Sequence, residues 1–158
     1  MKILKWVDII YIILIGIGLG DVLVLGSIVA PTIFHSEIYL QKEILSHYQE
    51  GLLMTAIFLK SNYLLNFIAL FIIIREAYSF KLFQRDKITI AAAMTAVFAI
   101  FMFSFYYTPD ILAYQAAGEE MTKSEIFDKI HKGSEIDFGL LAFSLFALLF
   151  RKVQLLMK

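Results

Sequence analysis

No stretch limits the fold of this chain more than His47–Arg75, HYQEGLLMTAIFLKSNYLLNFIALFIIIR. Its portion from Gly51 to Ile74 is long enough to cross a bilayer, which takes about 20 apolar residues. Lys60, Asn62 and Asn66 nevertheless sit in the middle of it. An ionisable side chain near the bilayer centre costs from about 2.5 to well over 10 kcal/mol, so it normally faces a protein partner or a water-filled cavity. Something else in the chain must answer this helix. Composition agrees, because 60% of the 158 residues are hydrophobic, 18% are charged and the mean hydropathy is +0.77, outside the usual soluble range.

Three further apolar runs, at about residues 9–30, 88–107 and 135–150, complete an all-α, four-helix transmembrane antiparallel bundle in a single domain, 1–158. The amino-terminal run is too long for a signal peptide and is interrupted by Asp8 and Asp21, so it reads as an uncleaved first span. Pro31 ends or kinks that span, and Pro109 closes the third. Gly16 and Gly20, continued by Ser27, form a small-residue stripe on which a neighbouring helix can approach closely. The spacing of Leu40, Ile44, Leu45 and Tyr48 starts the second helix near residue 40 and carries it to about Phe80. Thr122-Lys-Ser-Glu125 has the form of a capping box that starts the fourth. Helices two and four therefore extend beyond the outer membrane surface.

Asp21 lies nine residues inside Ala30, and Lys60 lies nine inside Gly51. A rise of 1.5 Å per residue puts both charges at about the same depth, roughly 13 Å below one surface, which pairs Asp21 with Lys60. Such a pair fixes register between two helices or serves as a proton or ion relay. Asn62 and Asn66, with Thr55, form a polar stripe suited to interhelical hydrogen bonds.

Lys2, Lys5, Arg75, Lys81, Arg85, Lys87, Arg151, Lys152 and Lys158 fall on one side, against Lys42, Lys123, Lys129 and Lys132 on the other. The positive-inside rule puts both termini in the cytoplasm, and the composition suits a bacterial inner membrane. All three histidines fall on the outer side, about one helical turn above the membrane boundary. Glu50 follows His47 by three residues and Glu135 follows His131 by four. Helix bundles build metal sites from such pairs, so His47, Glu50, His131 and Glu135 are candidate ligands, with His35 optional. Imidazole and carboxylate suit zinc, copper(II), iron or nickel. Solvated histidines that never converge are the competing reading. The absence of cysteine excludes disulfides and thiolate metal sites. Equal numbers of basic and acidic residues, 14 each, leave no nucleic-acid footprint.

Two short motifs carry a family resemblance. The glycine-rich first span followed by Gly26-Ser-Ile-Val-Ala30-Pro31-Thr-Ile-Phe34, and Phe127-Asp-Lys-Ile130-His131-Lys-Gly-Ser134 before the last span, resemble the transmembrane-protein-205-like family of four-span proteins of unknown function. The layout is more distantly similar to bacterial copper-resistance membrane proteins of the copper-D type. The resemblance implies four spans and a role for Pro31, Phe34, His131 and Ser134. The chain departs from that pattern at His47-Tyr-Gln-Glu50-Gly51, where the family has an aromatic-proline segment.

Two functions follow as expectations. The first is a membrane protein that binds a metal ion or small ligand at its outer mouth, for transport or resistance. The second is a structural or assembly partner docked on another membrane subunit through its small-residue faces. Four spans are few for a lone transporter, which makes a homodimer plausible. An enzyme using the outer carboxylates as acid and base would need a closed pocket and perturbed carboxylates, and no sequence motif supports it.

Overall fold

The computed structural model describes residues 2–42, 44–83 and 86–157, with residues 2–5 by backbone alone. The described residues form helices and no strands. Four helices are long and apolar enough to cross a membrane: Trp6–Phe34, His47–Lys81, Lys87–Ala116 and Glu125–Leu156. They form an all-α antiparallel bundle, the fold of a multi-pass membrane protein. The second helix, of 35 residues, and the fourth, of 32, are about 52 and 48 Å long at 1.5 Å per residue. Both exceed a hydrocarbon core of about 30 Å.

Local chemistry sets the helix ends, in places differently from expectation. The second helix begins at His47, where Ser46 and Gln49 form a reciprocal capping box. Residues near Leu40 belong instead to the separate short helix Ser36–Leu40, stopped by Gln41 at φ 53°. The fourth helix is capped by Ser124, whose hydroxyl accepts the Phe127 N–H. Thr122 is not the cap, because it closes the preceding turn Glu119–Thr122 and donates to the Glu119 carbonyl.

Neither proline ends its helix. Proline lacks an N–H, and its ring collides with the carbonyl four residues back. Each proline here is preceded by a π-helical turn, Leu25–Val29 before Pro31 and Phe103–Tyr107 before Pro109. The Ala30 N–H reaches back to the Leu25 carbonyl, and the Thr108 N–H to the Phe103 carbonyl. These wider turns accommodate the ring, so the first span runs on to Phe34 and the third to Ala116.

The end that carries both termini is closed. Arg75 donates to Asp8 through Nε at 2.9 Å and through Nη2, and to the Ser79 hydroxyl through Nη1. Lys152 pairs with Glu76 at 2.7 Å and lies 5.1 Å from the Tyr11 ring centroid. Arg151 holds Asp86 with bonds of 2.7 and 3.0 Å, while Asp86 caps the third helix through the Thr89 N–H. All four helices are thereby joined. Above this belt Ile15, Leu65, Ile68, Ile100, Leu141 and Leu145 are fully buried. The close approach expected at Gly16 and Gly20 occurs at Gly18 instead, where an added Cβ would lie 3.0 Å from Ile68 Cδ1. Gly16 and Gly20 meet nothing within 4 Å, and Ser27 is exposed.

Candidate functional site

The opposite end of the bundle is open, and the second helix shapes it. Tyr48 donates its hydroxyl to the Gln115 carbonyl at 2.7 Å, and the Gln115 amide donates to the Thr55 hydroxyl at 2.9 Å. Seven residues further on, Asn62 donates to the Thr108 hydroxyl at 3.1 Å, and Asn66 then donates to the Ser104 hydroxyl at 2.9 Å. This ladder fastens the second helix to the third across the π-turn. The Thr108 hydroxyl completes it by donating to the Phe103 carbonyl at 2.7 Å.

The Asp21–Lys60 ion pair is absent among the described residues. Asp21 accepts a hydrogen bond from Ser61 instead, and Lys60 is exposed. The depth agrees with expectation but the direction does not, because one residue turns a helix by about 100°. Ser61, not Lys60, points at the first helix.

A cavity of about 1040 Å³ occupies the open end. Its floor is apolar and aromatic: Phe103 and Phe138 lie 4.9 Å apart between ring centroids, and each is 5.2 Å from Phe58. Val22 and Met54 complete the floor, and Gln115 and Thr55 line one wall. Its mouth carries His47, Lys123, Asp128, His131 and Glu135. Hydrogen bonds to Glu120 and then Glu119 hold the Lys123 ammonium above the ordinary lysine range. Leu23 and Ser27 of the first helix and Gly139 of the fourth also line the cavity, and all three are exposed. One side of the cavity is therefore made by exposed residues of the first and fourth helices.

The histidines do not assemble a metal centre. The Phe34 ring lies 5.4 Å from the His47 ring and 6.4 Å from the His131 ring. Each histidine keeps to its own helix, His47 at 3.5 Å from Glu50 and His131 at 3.6 Å from Glu135. Glu50 is buried and accepts the Ser36 hydroxyl at 2.6 Å, while His35 is exposed beside Glu37 at 3.8 Å. No group of three or more His, Asp or Glu able to hold a metal occurs among the described residues. The expected ligands His47, Glu50, His131, Glu135 and His35 are thus not seen gathered into a metal site.

The motif before the last span has a packing role. Ser134 donates to the His131 carbonyl at 2.6 Å. Gly133 leaves room for Tyr107, whose ring would lie 2.9 Å from an added Cβ. Two buried polar groups, Gln115 in the cavity lining and Asp137 outside it, were missed from sequence. Gln115 Oε1 and Asp137 Oδ2 are buried without a hydrogen-bond partner. An acidic residue inside the fourth apolar run was the available signal for Asp137. Gln115 lay in a segment read as lying beyond the third span.

A family model described as Domain of unknown function (DUF4149) matches residues 13–120. No curated protein and no solved structure matches the chain. The matched segment takes in most of the first membrane helix, all of the second and third, both π-turn prolines and much of the cavity wall. This four-helix membrane protein belongs to the DUF4149 family.

Proposed function

We propose that this protein binds an amphipathic small molecule in the open-end cavity, taking its apolar part from the surrounding bilayer and holding its polar head at the mouth. The observation that carries this reading is the cavity itself. Its volume of about 1040 Å³ lies at the upper end of the roughly 300–1000 Å³ typical of ligand pockets. Its floor is aromatic, its mouth is polar, and exposed residues of the first and fourth helices line one side, which this reading assigns to lipid. The charged residues at the mouth are four carboxylates, Glu119, Glu125, Asp128 and Glu135, against Lys123. That balance suits a neutral or cationic head, and the Phe34 and Phe127 rings add faces that attract cations. The closed packing at the end with the termini argues for binding and presentation rather than a through-pore. With the termini in the cytoplasm, as the lysines and arginines indicate, the mouth faces outward. The resemblance to transmembrane-protein-205-like proteins supports the four-span frame.

The test is titration of the protein in nanodiscs with a fluorescent long-chain alkylammonium, and with an alkylsulfonate of the same tail. An added Cβ at Gly26 meets only Phe138, at 3.6 Å, so Gly26→Trp fits the helix while its indole fills the cavity. Saturable binding of the ammonium probe, weakened at least about tenfold in Gly26→Trp, is expected; tenfold is about 1.4 kcal/mol. Equal binding by both proteins would refute the site. Preference for the sulfonate would refute the assignment of the head.

A further inference from the structure

Among the described residues, the apolar run of the second helix leaves its one charge unanswered. Lys60 lies in the apolar run from Gly51 to Ile74, is exposed, and makes no ion pair among the described residues. Its neighbours fix its direction. Ser61 binds Asp21 on the first helix, and Asn62 binds Thr108 on the third. A step of about 100° from Ser61, away from Asn62, turns Lys60 outward on the edge of the second helix that flanks the first. There it faces what surrounds the bundle, at a depth where an ammonium with only lipid around it is costly.

We infer that this edge is the interface with a second copy of the same chain, and that Lys60 of each copy pairs with Asp21 of the other. The inference does not depend on the ligand reading. Copies inserted in the same orientation and related by a two-fold axis along the membrane normal keep every residue at its own depth. Lys60 therefore meets only residues at its own level. Asp21 is at that level, because it is bonded to the residue next to Lys60. It is also the only acidic residue within 9–30, 51–74 and 88–107. Its Oδ2 accepts from Ser61, and a carboxylate has two oxygens with about four acceptor sites, so Oδ1 has capacity for another donor. The two-fold axis generates the pair twice. Gly20, beside Asp21, has open space around it and lets the second copy come close to the first helix. Tyr63, 82% exposed and one turn from Lys60, supplies apolar cover.

The chain has no cysteine, so Met157→Cys gives a single labelling site for energy transfer between donor- and acceptor-labelled copies in lipid vesicles. Transfer that survives dilution with excess lipid is expected for the otherwise unchanged protein. Asp21→Asn alone and Lys60→Met alone should each lose most of it. Mixing Asp21→Asn copies with Lys60→Met copies should restore it in part, because each mixed dimer keeps one complete ion pair. Gly20→Leu, which a lone copy has room for, should weaken transfer without changing helix content by circular dichroism. Absence of transfer in the parent, retention in both single variants, or failure of mixing to restore it would each overturn the proposal. The last of these would place the pairing inside one chain.

Discussion

The Asp8–Arg75 pair gives the most discriminating stability prediction. The Arg75 side chain is 6% exposed and the Asp8 side chain 27% exposed. Deleting either partner orphans the other, but the two orphans differ. Asp8→Ala leaves a buried guanidinium whose remaining described side-chain contact is the Ser79 hydroxyl. Removing one partner of a buried pair destabilises by about 3–5 kcal/mol, and this variant should fall in that range. Arg75→Met leaves a carboxylate that keeps solvent, so its cost should be smaller, about 1–3 kcal/mol. The double variant orphans nothing and should cost less than the sum of the singles. The assay is unfolding in detergent mixtures of increasing denaturing strength, followed by far-ultraviolet circular dichroism. A larger loss in Arg75→Met than in Asp8→Ala, or additivity in the double variant, would refute the reasoning.

Two further outcomes are expected. Hydrogen bonds from Arg151, aided by Thr89, hold the Asp86 carboxyl below the usual carboxylate range, so its folded-state value lies below its unfolded one. Its stabilisation is complete above about pH 4 and is lost as pH falls toward the folded value; thermal melts across that window should show a slope that flattens in Asp86→Asn. An alkaline-phosphatase fusion after Leu156 should be inactive and one inserted between Gly118 and Ser124 active, if the basic residues set the topology as proposed. The reverse pattern would invert the protein.

The spans were legible because apolar length alone decides them, and Gly51–Ile74 needed no partner to be recognised. The prolines were misread because a π-turn is a tertiary accommodation. Pro31 and Pro109 look like terminators until a wider turn precedes them. Asp21 and Lys60 show the limit most plainly. Residue counting fixes height along a helix, and the bond from Ser61 to Asp21 agrees with that height. Counting does not fix rotation about the axis well enough to choose between adjacent residues. The same limit holds for the histidines: counting puts them on one level, and the structure shows two of them, His47 and His131, packed near the Phe34 ring. The acidic partners of Arg75, Arg151 and Lys152 were invisible because charges near span ends were read only as signposts of topology. In the fold they are the ties that close one end.

The paired π-turns change how the two proline-bearing helices should be read. Each inserts one residue more than a regular helix would carry over the same rise, so everything beyond it is set about 100° out of phase with what comes before. In the first helix that offset brings Phe34 near both His47 and His131; in the third it aims Gln115 at Thr55. The cavity-lining residues beyond each π-turn are therefore in a different rotational frame from the core residues before it. A single-residue deletion within either π-turn would merge those frames while leaving hydropathy almost untouched.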